Sequence, residues 1–251
     1  MERVTFKNSR NLTLAGHLYR SSSASMIIMC HGFTSDKSSQ GRFDRFAHAF
    51  QQLGYNVLAF DFSGCGESDD DRITLAKQAD DLHSAMSFVK SIGYVHLALF
   101  GNSLGTRVCL RCYTPQISAM VLTGGTTGPI QYNWNEYFTK EQMQELKEKG
   151  YITEHRVKRL RPVIIDKQML LDFECENQER LLKHVRCPVL MIHGNADEEE
   201  RRLCEITKQG MHWLPKESRL EIIDGAGHGF WDHLPVVEKL AADWFLKHVP
   251  L

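Results

Sequence analysis

Serine, aspartate and histidine can transfer an acyl group together, and in this 251-residue chain one of each follows an apolar run. Ser103 sits in Gly101-Asn102-Ser103-Leu104-Gly105, directly after Val95–Phe100 and ahead of a segment that can be helical, Thr106–Tyr113. A Gly-x-Ser-x-Gly on a strand-to-helix turn holds the hydroxyl out, and its flanking glycines carry no Cβ to clash. Asp197 ends His193-Gly194-Asn195-Ala196-Asp197, after the run Val189–Ile192. His228 lies in Gly225-Ala226-Gly227-His228-Gly229-Phe230, after Leu220–Ile223. Serine acyl transfer needs a nucleophile, a base to take its proton and a carboxylate to orient that base. An imidazole suits the base, because its ordinary pKa of about 6.5 lets it accept and return a proton near neutrality.

Each position has a plainer reading beside it. Ser103 could merely cap a helix, a task serine does well. His233 is a second histidine near His228, placed where the final helix should begin. Asp197 opens the acidic run Glu198-Glu199-Glu200, which can be a solvated helix start matched to the dipole. Glu198 is therefore its nearest rival as the orienting acid, while Asp224 lies too near His228 in sequence. Cys109-Leu110-Arg111-Cys112 has no second pair or histidine at zinc-site spacing, so packing on the helix is its better reading. Gly64-Cys65-Gly66 lacks the third glycine of a dinucleotide loop, and no P-loop is present. No cofactor and no metal are expected.

The elements that must position these residues follow from the pattern. Val4–Phe6 and Leu12–Tyr19 alternate around the turn Asn8–Asn11 and predict an antiparallel hairpin at a sheet edge. From residue 26 onward short apolar runs alternate with helical patterns. The runs are Met26–Cys30, Asn56–Phe60, Val95–Phe100, Ala119–Leu122, Val189–Ile192 and Leu220–Ile223. The helical stretches are Phe43–Leu53, Leu75–Ile92, Thr106–Tyr113, Glu199–Gln209 and Val236–His248. Continuous apolar strands between helices indicate an α/β fold with a mostly parallel, doubly wound sheet covered on both faces. In such sheets a ligand sits beyond the carboxyl ends of the strands, where Ser103, Asp197 and His228 all fall. Residues 126–183 break the rhythm, with aromatic Tyr132, Trp134, Tyr137 and Phe138, a helix over Lys140–Lys149 stopped by Gly150, and a short strand within Arg161–Asp166. This stretch is too long for a plain connection and reads as a cap inserted in a single domain over residues 1–251. Trp134, Tyr137 and Phe138 are candidates for an acyl pocket, with packing of the cap as the alternative.

Composition bounds the partners. A net charge of −1 gives no electrostatic case for nucleic acid. The N-terminus lacks an apolar signal stretch and no run is long enough to span a membrane. Seven scattered cysteines, an odd number, argue for free thiols in a reducing compartment, so the expected location is cytoplasmic. Oligomeric state is left open by the sequence.

The elbow, the His31-Gly32-Phe33 turn after Met26–Cys30, and the His193–Asp197 and Gly225–Phe230 segments together resemble the α/β-hydrolase superfamily over nearly the whole chain. Asp61-Phe62-Ser63-Gly64-Cys65-Gly66-Glu67-Ser68 is similar to the family's Gly-rich loop after the fourth strand. In length and layout the chain resembles the small feruloyl and cinnamoyl esterases, which carry an insertion before the acid-bearing strand. Where relatives often have Val-Pro after the acid, Glu198–Arg201 stand here, and Leu104 occupies a place often held by Gln in feruloyl esterases. The resemblance implies a serine esterase working through Ser103, His228 and Asp197. It places the oxyanion donors at the backbone N–H groups of Phe33 and Leu104. The partner would then be a small-molecule ester or thioester. An acyl thioesterase with the same residues, and a non-catalytic receptor on the same fold, stand as alternatives.

Overall fold

In the computed structural model, which describes residues 1–155 and 161–251, eight strands build one central sheet. Its first strands, β1 (Glu2–Lys7) and β2 (Thr13–Tyr19), form the expected antiparallel edge hairpin, with Phe6 opposite Leu14. β3 (Ser25–Cys30) and β4 (Asn56–Phe60) are buried at every position, as continuous apolar runs require when both sheet faces are covered. A two-residue strand, β5 (Arg72–Ile73), stands apart from this sheet. The chain returns through β6 (His96–Asn102) and β7 (Ile117–Thr123) to finish with β10 (Val189–Gly194) and β11 (Arg219–Ile223). Strand order is β1-β2-β4-β3-β6-β7-β10-β11, and every pairing from β4 onward is parallel.

Helices cover both faces. On one lie α1 (Arg42–Gln52) and α9 (Leu234–His248), whose Phe43, Phe46, Phe50, Trp244 and Phe245 pack on Phe100 and its neighbours. On the other lie α2 (Leu75–Ser91), α3 (Leu104–Arg111) and α8 (Glu198–Gly210), contributing Leu82, Val108 and Leu203. The predicted elements recur with ends shifted by a few residues. α3 begins at Leu104 because Ser103 itself is the turn, and α9 gains its first turn from a proline, Pro235, that needs no hydrogen-bond donor there.

Residues 126–183, of which 156–160 lie outside the described residues, carry the short helix α4 (Trp134–Tyr137) and α5 (Lys140–Lys149). They also carry β8 (Tyr151–Glu154), β9 (Val163–Asp166), α6 (Lys167–Glu174) and α7 (Gln178–Lys183). α5 stops at Gly150, whose φ of 76° is the left-handed conformation that glycine adopts without cost. β9 pairs with β8 and with β5, so this segment completes its small sheet with two residues from a distant loop. No helix among the described residues is long and apolar enough to cross a membrane.

Candidate active site

Ser103 stands between β6 and α3 with φ 53° and ψ −120°, a conformation sparsely populated for any residue with a side chain. Close contacts hold it there. A Cβ on Gly105 would lie 2.2 Å from the Cys30 carbonyl oxygen, and one on Gly101 would lie 2.9 Å from that of Gly105. Neither position tolerates a side chain, so α3 can abut the end of β3. The Ser103 N–H donates to Thr123 O at 2.8 Å, tying the turn to β7.

His228 reaches the same point from the loop after β11. Its Nε2 is 3.0 Å from Ser103 Oγ, and its Nδ1 is 2.6 Å from Glu200 Oε2. Two residues that are 125 positions apart in sequence thus share a hydrogen bond. Gly124, at the end of β7 with φ 55°, leaves room for this contact, because a Cβ there would come within 3.1 Å of the His228 ring. Burial would lower the His228 pKa. The hydrogen bond and charge of Glu200, helped by Glu199 and Asp197, outweigh it and hold the imidazole above its ordinary value.

The carboxylate beside the imidazole differs from the sequence expectation. Asp197 does not meet the imidazole. Its Oδ1 caps α8 by accepting from the Glu200 N–H at 2.7 Å, and its Oδ2 accepts from the backbone N–H of His228 at 2.9 Å. Being the N-cap, Asp197 spends its short side chain on helix and loop backbone, as cap residues do. One turn on, Glu200 reaches the ring with its longer side chain. Glu198, the rival, is exposed at the first position of α8, and Asp224 accepts from Asn195 Nδ2 at 2.9 Å. Glu200 is wholly buried. Burial alone would raise its pKa, but hydrogen bonds from His193 and His228 bring it down to about 2, so the carboxylate is charged.

Four residues that the sequence did not single out complete the surroundings: Glu200, Gly124, His193 and Arg42. His193 donates from Nδ1 to Glu200 Oε1 at 2.8 Å. Arg42, at the start of α1, donates to Asn102 Oδ1 and to Gly229 O, each at 2.8 Å, and so braces the serine strand against the histidine loop. Only the acidic run Glu198–Glu200 hinted at this carboxylate, since a side chain three residues past a helix cap faces inward again.

The His31-Gly32-Phe33 turn passes directly over the elbow, where a Cβ on Gly32 would lie 3.2 Å from Ser103 Cβ. His31 Nε2 accepts from the Phe62 N–H at 3.2 Å and does not join the Ser103–His228 line, in keeping with a structural role. Leu104 is the first residue of α3, so its N–H lies among the donors that a helix start leaves unbonded within the helix.

The aromatic residues in and around α4 form one cluster, in which Trp134 touches both Tyr132 and Tyr137. Trp134 packs against Phe138 and Phe173, and Phe173 in turn lies edge-on to Phe33, with ring centroids 5.6 Å apart. Tyr137 also lines a cleft of about 420 Å³ with Tyr132, Glu136, Glu198, Glu199 and Arg202. Tyr132 OH donates to Glu199 Oε1 at 3.1 Å, which links the segment before α4 to α8. Cys109 and Cys112 are buried free thiols, and among the described residues no group of three or more His, Cys, Asp or Glu is placed to hold a metal ion.

A family model described as serine aminopeptidase, S33, matches residues 21–183. The 2-hydroxy-6-oxononadienedioate/2-hydroxy-6-oxononatrienedioate hydrolase of Paraburkholderia phymatum is 30% identical over 112 residues, 42% of this chain and 38% of that protein. The chain spans between 29% and 38% of the length of the curated relatives it matches. Among solved structures, the α/β-hydrolase GrgF from Penicillium sp. superposes with a TM-score of 0.77 at 20% identity, covering 98% of both chains. Est1E from Butyrivibrio proteoclasticus, solved with ferulic acid bound, gives 0.77 at 18% identity, again over 98% of both chains. At these identities the likeness establishes the fold, which is the α/β-hydrolase fold.

Proposed function

The chain belongs to the serine aminopeptidase S33 family of hydrolases, and on that premise we propose that it cleaves carboxylic esters through an acyl-serine intermediate. One observation carries the reading: the continuous line from Ser103 Oγ to His228 Nε2 at 3.0 Å and from His228 Nδ1 to Glu200 Oε2 at 2.6 Å. In this mechanism Ser103 Oγ attacks the ester carbonyl carbon as His228 Nε2 takes its proton. The developing imidazolium is stabilised by the charged Glu200, which also keeps the neutral ring protonated at Nδ1. The tetrahedral oxyanion is held by the N–H groups of Phe33 and Leu104 at the start of α3, where the helix dipole favours negative charge. Its collapse expels the alcohol, which receives the proton from His228 Nε2. Water then enters, gives a proton to His228 and attacks the acyl carbon, and collapse returns Ser103 with release of the acid. The His228 side chain retains 29% of its exposure, which leaves water a path to it.

The test is covalent labelling combined with turnover. A fluorophosphonate probe is expected to label Ser103, and the protein to hydrolyse p-nitrophenyl esters of graded acyl length faster than matched thioesters and peptide anilides. Absence of both labelling and turnover would identify a receptor on a hydrolase fold. Preference for thioesters or anilides would replace the leaving group in this reading and keep its nucleophile.

A further inference from the structure

Glu200 serves two histidines, and the second stands outside the reaction line. His193, the penultimate residue of β10, is fully buried and donates to Glu200 Oε1 at 2.8 Å, the oxygen that faces away from His228. The Gly194 N–H donates to the same oxygen at 3.1 Å. Behind His193 a chain of polar groups runs from the buried Thr207 and Thr127 to the partly buried Gln178. His193 Nε2 lies 3.0 Å from Thr207 Oγ1 on α8, and Thr207 Oγ1 lies 3.0 Å from Thr127 Oγ1. Gln178 Nε2, at the start of α7, lies 3.4 Å from Thr127 Oγ1 and 2.6 Å from Ile206 O.

The direction of this chain follows from its two ends. The charged Glu200 can only accept, so the neutral His193 carries its proton at Nδ1 and accepts at Nε2. Thr207 then gives its single hydroxyl proton to His193 Nε2 and takes that of Thr127. At the far end Ile206 O can only accept, so the Gln178 amide presents its nitrogen there, and the same nitrogen donates to Thr127. Every group from Gln178 to His228 has one consistent donor direction, and reversing any link would leave two protons or two lone pairs face to face.

We propose that His193 is a positioning residue for the hydrolysis read above, holding Glu200 in the rotamer and charge state that orient His228, with Gln178, Thr127 and Thr207 fixing its tautomer. The inference rests on the esterase reading. Without the Nδ1 donor, Glu200 Oε1 keeps only the Gly194 N–H, and the carboxylate can rotate away from the imidazole. Its undivided charge also draws a proton onto His228 more strongly. The groups that face this pair are Glu199 and Asp197 at the start of α8, Cys204 on α8, and Ser103 across the site.

The experiment compares His193→Asn, whose Nδ2 can occupy the place of Nδ1, with His193→Leu, which has no donor. Steady-state kinetics over pH on a p-nitrophenyl ester already turned over by the wild type give the readout, with thermal unfolding in parallel. His193→Leu is expected to lower kcat about ten- to a hundredfold with KM within about threefold, the size seen when an outer hydrogen-bond partner of an active group is lost. Its acid limb in kcat/KM should move to higher pH by about half a unit or more. His193→Asn should recover most of kcat and the wild-type limb. Thr207→Val should lower kcat less than His193→Leu, and Thr207→Ser should match the wild type. Unchanged kcat and pH limb in His193→Leu overturn the proposal. So does an equal loss in both His193 variants with an unmoved limb and a lowered unfolding temperature, which marks a purely structural residue. Wild-type protein inactive on every ester would instead remove the esterase reading beneath it.

Discussion

Beneath Ser103 the chain is held by contact distance, whereas beneath His228 it is held by hydrogen bonds. On the serine side, the end of β3 and the first turn of α3 meet so closely that a Cβ on Gly105 would lie 2.2 Å from Cys30 O. On the histidine side, Asp197 and Glu200 divide the work between backbone and rings through five hydrogen bonds of 2.6 to 3.1 Å. Steric closeness dictates residue type, because only glycine fits. A hydrogen-bonded site dictates only that some acceptor of the right reach be present.

The most damaging way to break both sides is at the shared contact. Ser103→Ala and His228→Ala should each lower kcat by about 10⁴-fold or more, and the double variant should lose little further, because the two act as a unit. Losses that multiply would show two independent roles. Breaking only the steric side, Gly105→Ala drives a methyl into Cys30 O, and the loss should appear first in folding. We expect several kcal/mol of destabilisation, of the size of other overpacked or strained sites, measured by denaturant unfolding.

This contrast also explains how far the sequence could be read. The elbow, the apolar strands around it, and the placement of Ser103 and His228 at the carboxyl ends of strands were legible because glycine spacing and apolar runs are local and tied to one geometry. The carboxylate that meets the imidazole was not legible because Asp197 and Glu200 are both acidic and three residues apart at one helix start, and only the fold shows which of them turns inward. Arg42 and Gly124 were not legible, since each acts on residues far away in sequence, and His193 was not, since it meets Glu200 only once α8 folds back beside the end of β10. Likewise, no local pattern announces that Arg72–Ile73 pairs with Val163–Asp166 to extend the sheet of the inserted segment.

A third prediction tests the polar attachment of that segment. Arg107 on α3 is fully buried and donates to Thr126 O at 3.3 Å, Gly128 O at 2.5 Å and Asp172 O at 2.6 Å. Arg107→Met would leave three carbonyl oxygens without this donor. The expected cost is about 3 kcal/mol in unfolding, with turnover of a small ester changed less than stability. A smaller effect should come from Trp134→Ala, whose ring touches Phe173, itself edge-on to Phe33. It should alter the ratio of kcat/KM between acetyl and longer or aromatic acyl esters by roughly tenfold while Ser103 keeps its reactivity toward a small organophosphate. A uniform fall across all esters with a lower unfolding temperature would make Trp134 a packing residue alone.

The division of labour between the two carboxylates is tested most directly by kcat/KM over pH for Glu200→Gln beside Asp197→Asn. Glu200 is the acceptor at His228 Nδ1, so Glu200→Gln should cost about 10³-fold or more, in line with the loss of an orienting carboxylate. With the carboxylate gone, burial dominates at His228. The raised imidazole pKa should then fall, and the acid limb, which in the wild type should lie above 6.5, should move to lower pH. Asp197→Asn keeps an oxygen to accept from the backbone and should cost about tenfold, with the limb displaced less. Greater damage from Asp197→Asn than from Glu200→Gln, or an acid limb unmoved in Glu200→Gln, would contradict the assignment of Glu200 as the carboxylate that orients His228.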